Sequence, residues 1–156
     1  MLTNRQLFLR HLAQTSPAPM LLEIIRAEGV YLYGADGTKY IDLISGVSVS
    51  NTGHRHPKIV EAVKDQIDNY MHLMVYGEFI QSPQVKYTEK IAGLLPVGLD
   101  TCYFVNSGSE AVEGALKLAK RYTGRSRIIS FMNSYHGSTH GALSIQGSEH
   151  YRNAFR

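Results

Sequence analysis

Apolar and polar positions recur along this chain with periods that change from stretch to stretch, and the changes mark out its elements. Thr3 to Ala13 carries Leu7, Leu9 and Leu12 among polar neighbours, which predicts a short amphipathic helix. Ser16-Pro17-Ala18-Pro19 ends it, because each proline biases the residue before it toward extended backbone. Two β-like runs follow, 29–33 and 39–43, joined through Asp36-Gly37, a pair suited to hairpin turns. Pro57 opens a helix on which Val60, Val63, Ile67 and Tyr70 recur at helical spacing. Another helix is predicted from Pro83 to Leu95, stopped by Pro96. Cys102 to Val105 reads as a short apolar strand. After Asn106-Ser107-Gly108-Ser109, the residues Val112, Ala115, Leu116, Ala119 and Tyr122 form an apolar stripe closed by Gly124. Arg127 to Phe131 reads as the next strand, and a loop rich in Gly, Ser and His comes after it.

The second half therefore predicts strand, loop, helix, strand, a βαβ unit of an α/β fold. One such unit leaves its sheet edges open, and the closing stretch Tyr151-Arg152-Asn153-Ala154-Phe155-Arg156 offers neither cap nor polar tail. The expectation is the front part of a larger domain. Composition narrows the class of protein. The 156 residues suffice for one domain with a core, and 44% hydrophobic with 19% charged residues is ordinary for a soluble globular chain. A net charge of +3, spread along the chain, argues against nucleic acid as a partner. The single cysteine, Cys102, excludes an intrachain disulfide framework and fits a reducing compartment. No apolar run approaches the roughly 20 residues that span a bilayer. Arg5 and Arg10 precede no apolar core of a secretory leader. The first acidic residue, Glu23, leaves a transit peptide as the alternative to the predicted cytoplasmic location.

Asn106 to Ser109 stands where a strand hands over to a helix. Gly108 allows close backbone approach, and the first amides of a helix lack internal partners. The helix dipole favours an anion there, and the hydroxyls of Ser107 and Ser109 add donors, so a phosphate is a natural guest. The plainer alternative is an ordinary N-cap. Neither G-x-G-x-x-G nor G-K-[ST] is present, which favours a phosphorylated cofactor over a dinucleotide or ATP. A second loop, Tyr135-His136-Gly137-Ser138, follows the next predicted strand and would open at the same carboxyl edge of a parallel sheet. There an aromatic ring can lie on a flat cofactor, or Tyr135 and His136 can simply be partly buried loop residues.

Taken in order, several blocks carry a family resemblance. They are Tyr31-Leu32-Tyr33 with Asp36-Gly37 and Tyr40-Ile41-Asp42, then Ser45-Gly46 and Gly53-His54-Arg55-His56-Pro57. Next come Phe104 to Ala111 with Glu113, then Tyr122-Thr123-Gly124-Arg125, and Tyr135 to Thr139 with Gly141-Ala142-Leu143-Ser144. Together they resemble the class III pyridoxal-phosphate aminotransferases, the acetylornithine, ornithine, 4-aminobutyrate and ω-amine transaminase family, over the first third or so of a member.

The resemblance implies a fold-type I, aspartate aminotransferase-like α/β fold. Residues 1–70 would join the small domain, and residues 71–156 would begin the large cofactor-binding domain with its first βαβ unit. It implies pyridoxal 5'-phosphate as cofactor, with Ser107, Gly108 and Ser109 at the phosphate, Tyr135 stacked on the pyridine ring and His136 beside it. Val47 and Tyr76 would line the substrate entrance of a homodimer with interfacial active sites. The implied reaction moves an amino group from an ω-amino acid or terminal amine to a 2-oxo acid. One departure bears on substrate. The acetylornithine, ornithine and 4-aminobutyrate branches carry an arginine after His-Gly, whereas this chain has Ser138, a single neutral donor that cannot replace a bidentate guanidinium. Ser138 is more like the amine:pyruvate branch, while Gly141 to Ser144 leans toward the acetylornithine side.

The Schiff-base lysine such chemistry requires is expected downstream of this chain, as is the carboxylate that holds the pyridine nitrogen. Lys117 and Lys120, one turn apart on the predicted helix, read as solvated or as neutralising the helix C-terminus. No catalytic residue is assigned, and the chain alone is expected to be inactive. The alternatives are a glutamate-1-semialdehyde-type aminomutase, or a truncated, non-catalytic binding or dimerisation module. His54-x-His56 and His136-x3-His140 have spacings that could serve a metal, but no further ligands cluster with them, so no metal is predicted. His54 reads instead as organising the loop ahead of Pro57.

Overall fold

Thr3 closes a capping box at the start of the chain: its hydroxyl accepts from the Gln6 N–H, and the Gln6 side chain accepts from the Thr3 N–H. The helix it opens, α1 (Asn4–His11), is shorter at its C-terminus than the apolar pattern predicts. In the computed structural model, which describes residues 1–74 and 76–155, the chain forms two units, Met1–Phe79 and Ile80–Arg156.

The first unit is built on an antiparallel meander of β1 (Ile24–Glu28), β2 (Tyr31–Gly34) and β3 (Lys39–Ile41). The hairpin between β2 and β3 is the one predicted. Asp36 fixes its turn by accepting from both the N–H (3.0 Å) and the hydroxyl (2.9 Å) of Thr38. The main-chain contact from Thr38 is the chief reason the Asp36 carboxyl is held below its ordinary range. Strand β1 lies in the segment expected to be extended after Pro19 but is not among the predicted β-like runs, because Ile24-Ile25-Arg26-Ala27-Glu28 does not alternate apolar with polar residues. On the sheet, Lys39 Nζ sits 3.6 Å from the centre of the Tyr31 ring, and the Arg26 guanidinium lies over Tyr33.

Beyond the sheet, Ser45, Gly46, Val47 and Ser48 all have positive φ, making a single left-handed turn, α2 (Ser45–Ser48). The helix α3 (Pro57–Asn69) then starts at the predicted proline. His54 does organise the approach to it. Its main chain pairs with Gly29, and its Nε2 lies 2.7 Å from Oδ2 of Asp42.

The second unit contains α4 (Ser82–Ala92), α5 (Gly108–Thr123), the short α6 (His140–Ser144) and α7 (Glu149–Arg152), with a 3₁₀ turn at Asn153–Phe155. Gly124 ends α5 at φ 68°, the left-handed cap the sequence predicts. Ala142 and Gln146, both with no exposure, mark where this unit is most tightly packed. The segments 102–105 and 127–131, predicted as strands, carry no ladder: among the described residues the only sheet is the meander of the first unit. An apolar run reports a preference for extended backbone, but a strand also needs a neighbour to accept its hydrogen bonds, and these two do not pair with each other. Tyr103, Ile129 and Phe131 consequently stay 82%, 93% and 86% exposed.

Candidate active site

The N-terminus of α5 and the loop 135–139 face each other across a cleft of about 750 Å³, a volume ordinary for small-molecule sites. The helix begins cleanly. Ser107 is its N-cap, accepting from the Glu110 N–H at 3.2 Å, while the Glu110 carboxylate reaches back to the Asn106 N–H at 2.7 Å. The Gly108 and Ser109 N–H groups, first in the helix, have no acceptor among the described residues. Both residues line the cleft, so its floor carries free donors and the positive end of a helix of 16 residues.

The opposite wall is the loop 135–139. Gly137 is buried with φ 123°, and its backbone lies directly on Ser109. Tyr135 is 69% exposed, with its hydroxyl 3.1 Å from that of Ser138. His136 contributes a buried Nε2 that has no hydrogen-bond partner among the described residues.

A hydrogen-bonded chain ties the two walls together. The Thr139 N–H donates to Ser109 Oγ (3.1 Å), the two hydroxyl oxygens lie 2.7 Å apart, and Thr139 Oγ1 lies 2.6 Å from Oε1 of Glu113. The same Oε1 accepts from the N–H groups of Gly141 (2.8 Å) and Ala142 (3.1 Å) in the first turn of α6. The Thr139 hydroxyl, with Ala142 and Gly141 N–H behind it, holds the Glu113 carboxyl below the usual carboxylate range. Proton counting then fixes the direction of the chain. An ionised carboxylate only accepts, so Thr139 gives it its one hydroxyl proton, and Ser109 must donate to Thr139 Oγ1.

Of the residues singled out from sequence, Gly108, Ser109, Tyr135, His136 and Ser138 meet at this cleft. Ser107 does not line it; its oxygen serves the helix. Val47 and Tyr76 belong to the other unit, 82% and 89% exposed, at φ 63° and 65°. Lys117 and Lys120 are exposed on α5, and no lysine lines the cleft. Sequence reasoning gave no role to Glu113 and Thr139. The available signal was spacing, since Ser109, Val112 and Glu113 occupy one helical face and so turn toward whatever Ser109 faces. No group of three or more potential metal ligands occurs among the described residues, and no described helix is long and apolar enough to cross a membrane.

The chain belongs to the class III aminotransferase family, whose sequence model matches residues 12–156. It is 38% identical to an acetylornithine aminotransferase of Archaeoglobus fulgidus over 94% of its own length and 38% of that protein's. It is 40% identical to a [LysW]-aminoadipate semialdehyde/glutamate semialdehyde transaminase of Sulfurisphaera tokodaii, over 86% of the chain and 34% of the relative. Among solved structures, an (S)-enantioselective ω-transaminase from Thermomicrobium roseum superposes with a TM-score of 0.85 at 28% identity, covering 96% of this chain and 36% of that one. A taurine:2-oxoglutarate aminotransferase from Bifidobacterium kashiwanohense, in complex with pyridoxal phosphate and glutamate, gives 0.81 at 33% identity, over 96% of this chain and 33% of its own. The fold is therefore that of the fold-type I transferases, and the chain spans little more than a third of these relatives. Pyridoxal phosphate is the cofactor of the class. The cleft fits such a group: unpaired main-chain donors for a phosphate, an exposed aromatic face for a planar ring, and an unsatisfied His136 nitrogen in the wall.

Proposed function

We propose that this chain forms the phosphate-gripping and ring-facing part of a pyridoxal-phosphate aminotransferase site. The observation that carries the reading is the pair of unpartnered amides at Gly108 and Ser109, set across a cleft from the exposed Tyr135 ring. When bound, the cofactor supplies an electron sink for breaking bonds at the carbon that bears the amino group. The chain's own residues bind and orient. Gly108 and Ser109 amides hold the phosphate, Tyr135 covers one ring face, and His136 closes the wall beside it. Ser107 acts on the phosphate only through the helix it caps.

In the complete protein the amino group moves from an ω-amino acid or terminal amine to a 2-oxo acid, within a cytoplasmic homodimer whose active sites lie at the interface. Residues 1–70 join the small domain and 71–156 open the large one, with Val47 and Tyr76 near the substrate entrance. Ser138, offering one neutral donor where a guanidinium would clamp a distal carboxylate, favours amines over dicarboxylates. No lysine lines the cleft among the described residues, so no lysine of this chain is given the Schiff-base role.

Titration of the chain with pyridoxal phosphate and with pyridoxal, followed by absorbance, tests the grip. The phosphorylated form binds saturably and at least about tenfold tighter, the value of roughly one charge-assisted hydrogen bond. Equal affinity for the two would sink the phosphate assignment. The intact masses in a denatured sample that transfers amino groups identify the polypeptide supplying the lysine.

A further inference from the structure

Glu113 lies one helical turn beyond Ser109 on α5, outside the residues that line the cleft, yet it is the hub of the contacts that shape it. Three donors converge on its Oε1: the Thr139 hydroxyl and the N–H groups of Gly141 and Ala142. The two amides belong to the start of α6, a five-residue helix with no side-chain cap of its own, so Glu113 caps it from another element. The approach is close. A Cβ at Gly141 would fall 2.8 Å from the Glu113 carboxyl carbon, so any side chain there would displace the carboxylate from this position. Through Thr139 the influence continues into the cleft, because the Ser109 hydroxyl is committed as donor to Thr139 Oγ1 while its oxygen accepts the Thr139 N–H.

We propose that Glu113 is a positioning residue for the cofactor. Acting through Thr139, it clamps the 135–139 loop over the N-terminus of α5, where the Gly108 and Ser109 amides face the cleft. The inference rests on the cofactor reading above and deepens it. Glu113 lies outside the residues that line the cleft, and the Thr139 hydroxyl proton goes to Glu113. What they fix is the separation between the phosphate floor and the Tyr135 face, and a misplacement of either wall is felt by a ligand that must contact both.

Two measurements on the full chain, one without cofactor, distinguish this from its rivals. Amide hydrogen exchange of the free protein reads the clasp itself, and titration with pyridoxal phosphate reads its consequence. In Glu113→Ala, the amides of Thr139, Gly141 and Ala142 lose protection, and pyridoxal phosphate binds about tenfold more weakly. Glu113→Gln keeps an acceptor oxygen in place and restores most of both. Thr139→Val, which keeps the N–H and the shape but deletes the relay hydroxyl, weakens binding without unfolding α6, and so stands in if Glu113→Ala fails to fold. Unchanged affinity in both Glu113→Ala and Thr139→Val, against a wild-type chain that prefers pyridoxal phosphate to pyridoxal, overturns the positioning role and leaves the cofactor reading intact. A wild-type chain that shows no such preference removes the cofactor reading and this inference with it, whatever the exchange data show.

Discussion

A methyl group on Gly137 would lie 2.4 Å from Oγ of Ser109 and 2.9 Å from its Cα. The second distance matters more, since a main-chain atom cannot rotate away as a side-chain tip can. At φ 123° an alanine would also be strained irrespective of space. The loop and the helix end are in direct backbone contact, and that contact sets the width of the cleft. Gly137→Ala must push the loop off Ser109, breaking the Thr139 N–H bond that crosses there. The expected outcome is pyridoxal phosphate affinity lowered at least about tenfold (~1.4 kcal/mol) with helix content preserved. Absorbance titration beside far-ultraviolet circular dichroism checks it, and affinity within a factor of two of wild type would contradict the contact.

Adjacent residues at the start of α5 have separable tasks. Ser107 caps the helix with its hydroxyl oxygen, whereas Gly108 offers the cleft a main-chain N–H. Gly108 is the first helical position, where proline is well tolerated, and Ser107 already has the extended conformation (φ −150°, ψ 160°) that a following proline requires. Gly108→Pro therefore deletes one donor and spares the helix. Ser107→Ala should cost about 1 kcal/mol of stability and change pyridoxal phosphate affinity less than twofold. Gly108→Pro should leave the melting temperature within a degree or two and weaken binding about ten- to a hundredfold, as for one charge-assisted bond of ~1.5–3 kcal/mol. The reverse pattern would return Ser107 to the phosphate.

How much of this was legible in the sequence depends on the range of the interaction involved. Capping and turn chemistry act over a few residues, so the α5 start within Asn106–Ser109, its Gly124 stop, the Asp36-Gly37 turn and the Pro57 helix start all read directly. The segments 102–105 and 127–131 did not form strands, because strand pairing is a relation with a distant neighbour that an apolar run does not name. Both stretches that line the cleft were visible as loops. Their mutual fastening was not: Ser109 and Thr139 are 30 residues apart, and nothing in either stretch says that one hydroxyl points at the other. Glu113 was hidden more thoroughly, since a glutamate on an amphipathic helix ordinarily faces solvent.

Helix α5 also makes a test of its own termination. Gly124 sits at φ 68°, ψ 4°, and donates its N–H to the Lys120 carbonyl. An L-residue there carries a steric cost of about 1–2 kcal/mol. Gly124→Ala should lower the melting temperature by a few degrees without changing pyridoxal phosphate affinity, because the cleft lies at the other end of the helix. A loss of affinity matching the loss of stability would mean that the far end of α5 communicates with its N-terminus.

In the first unit the left-handed turn α2 puts three non-glycine residues at positive φ, a conformation that has to be held from outside. Asp42 holds it. Its Oδ1 accepts from the Ser45 N–H (2.8 Å) and the Ile44 N–H (3.1 Å), and its Oδ2 lies against His54 Nε2. The Ser45 N–H, followed by the His54 ring, holds the Asp42 carboxyl below its ordinary range. A carboxyl with a lowered folded-state pKa contributes stability that is fully present above the unfolded value, about 3.9, and is lost as pH falls through the folded value beneath it. Asp42→Asn keeps one acceptor oxygen and removes the charge. The gap in melting temperature between wild type and Asp42→Asn should therefore be constant from pH 7 down to about pH 5, and should close below about pH 4. A gap that persists undiminished at pH 3 would mean that Asp42 supports the turn by shape alone, and no gap at pH 7 would mean that its charge does not hold the turn.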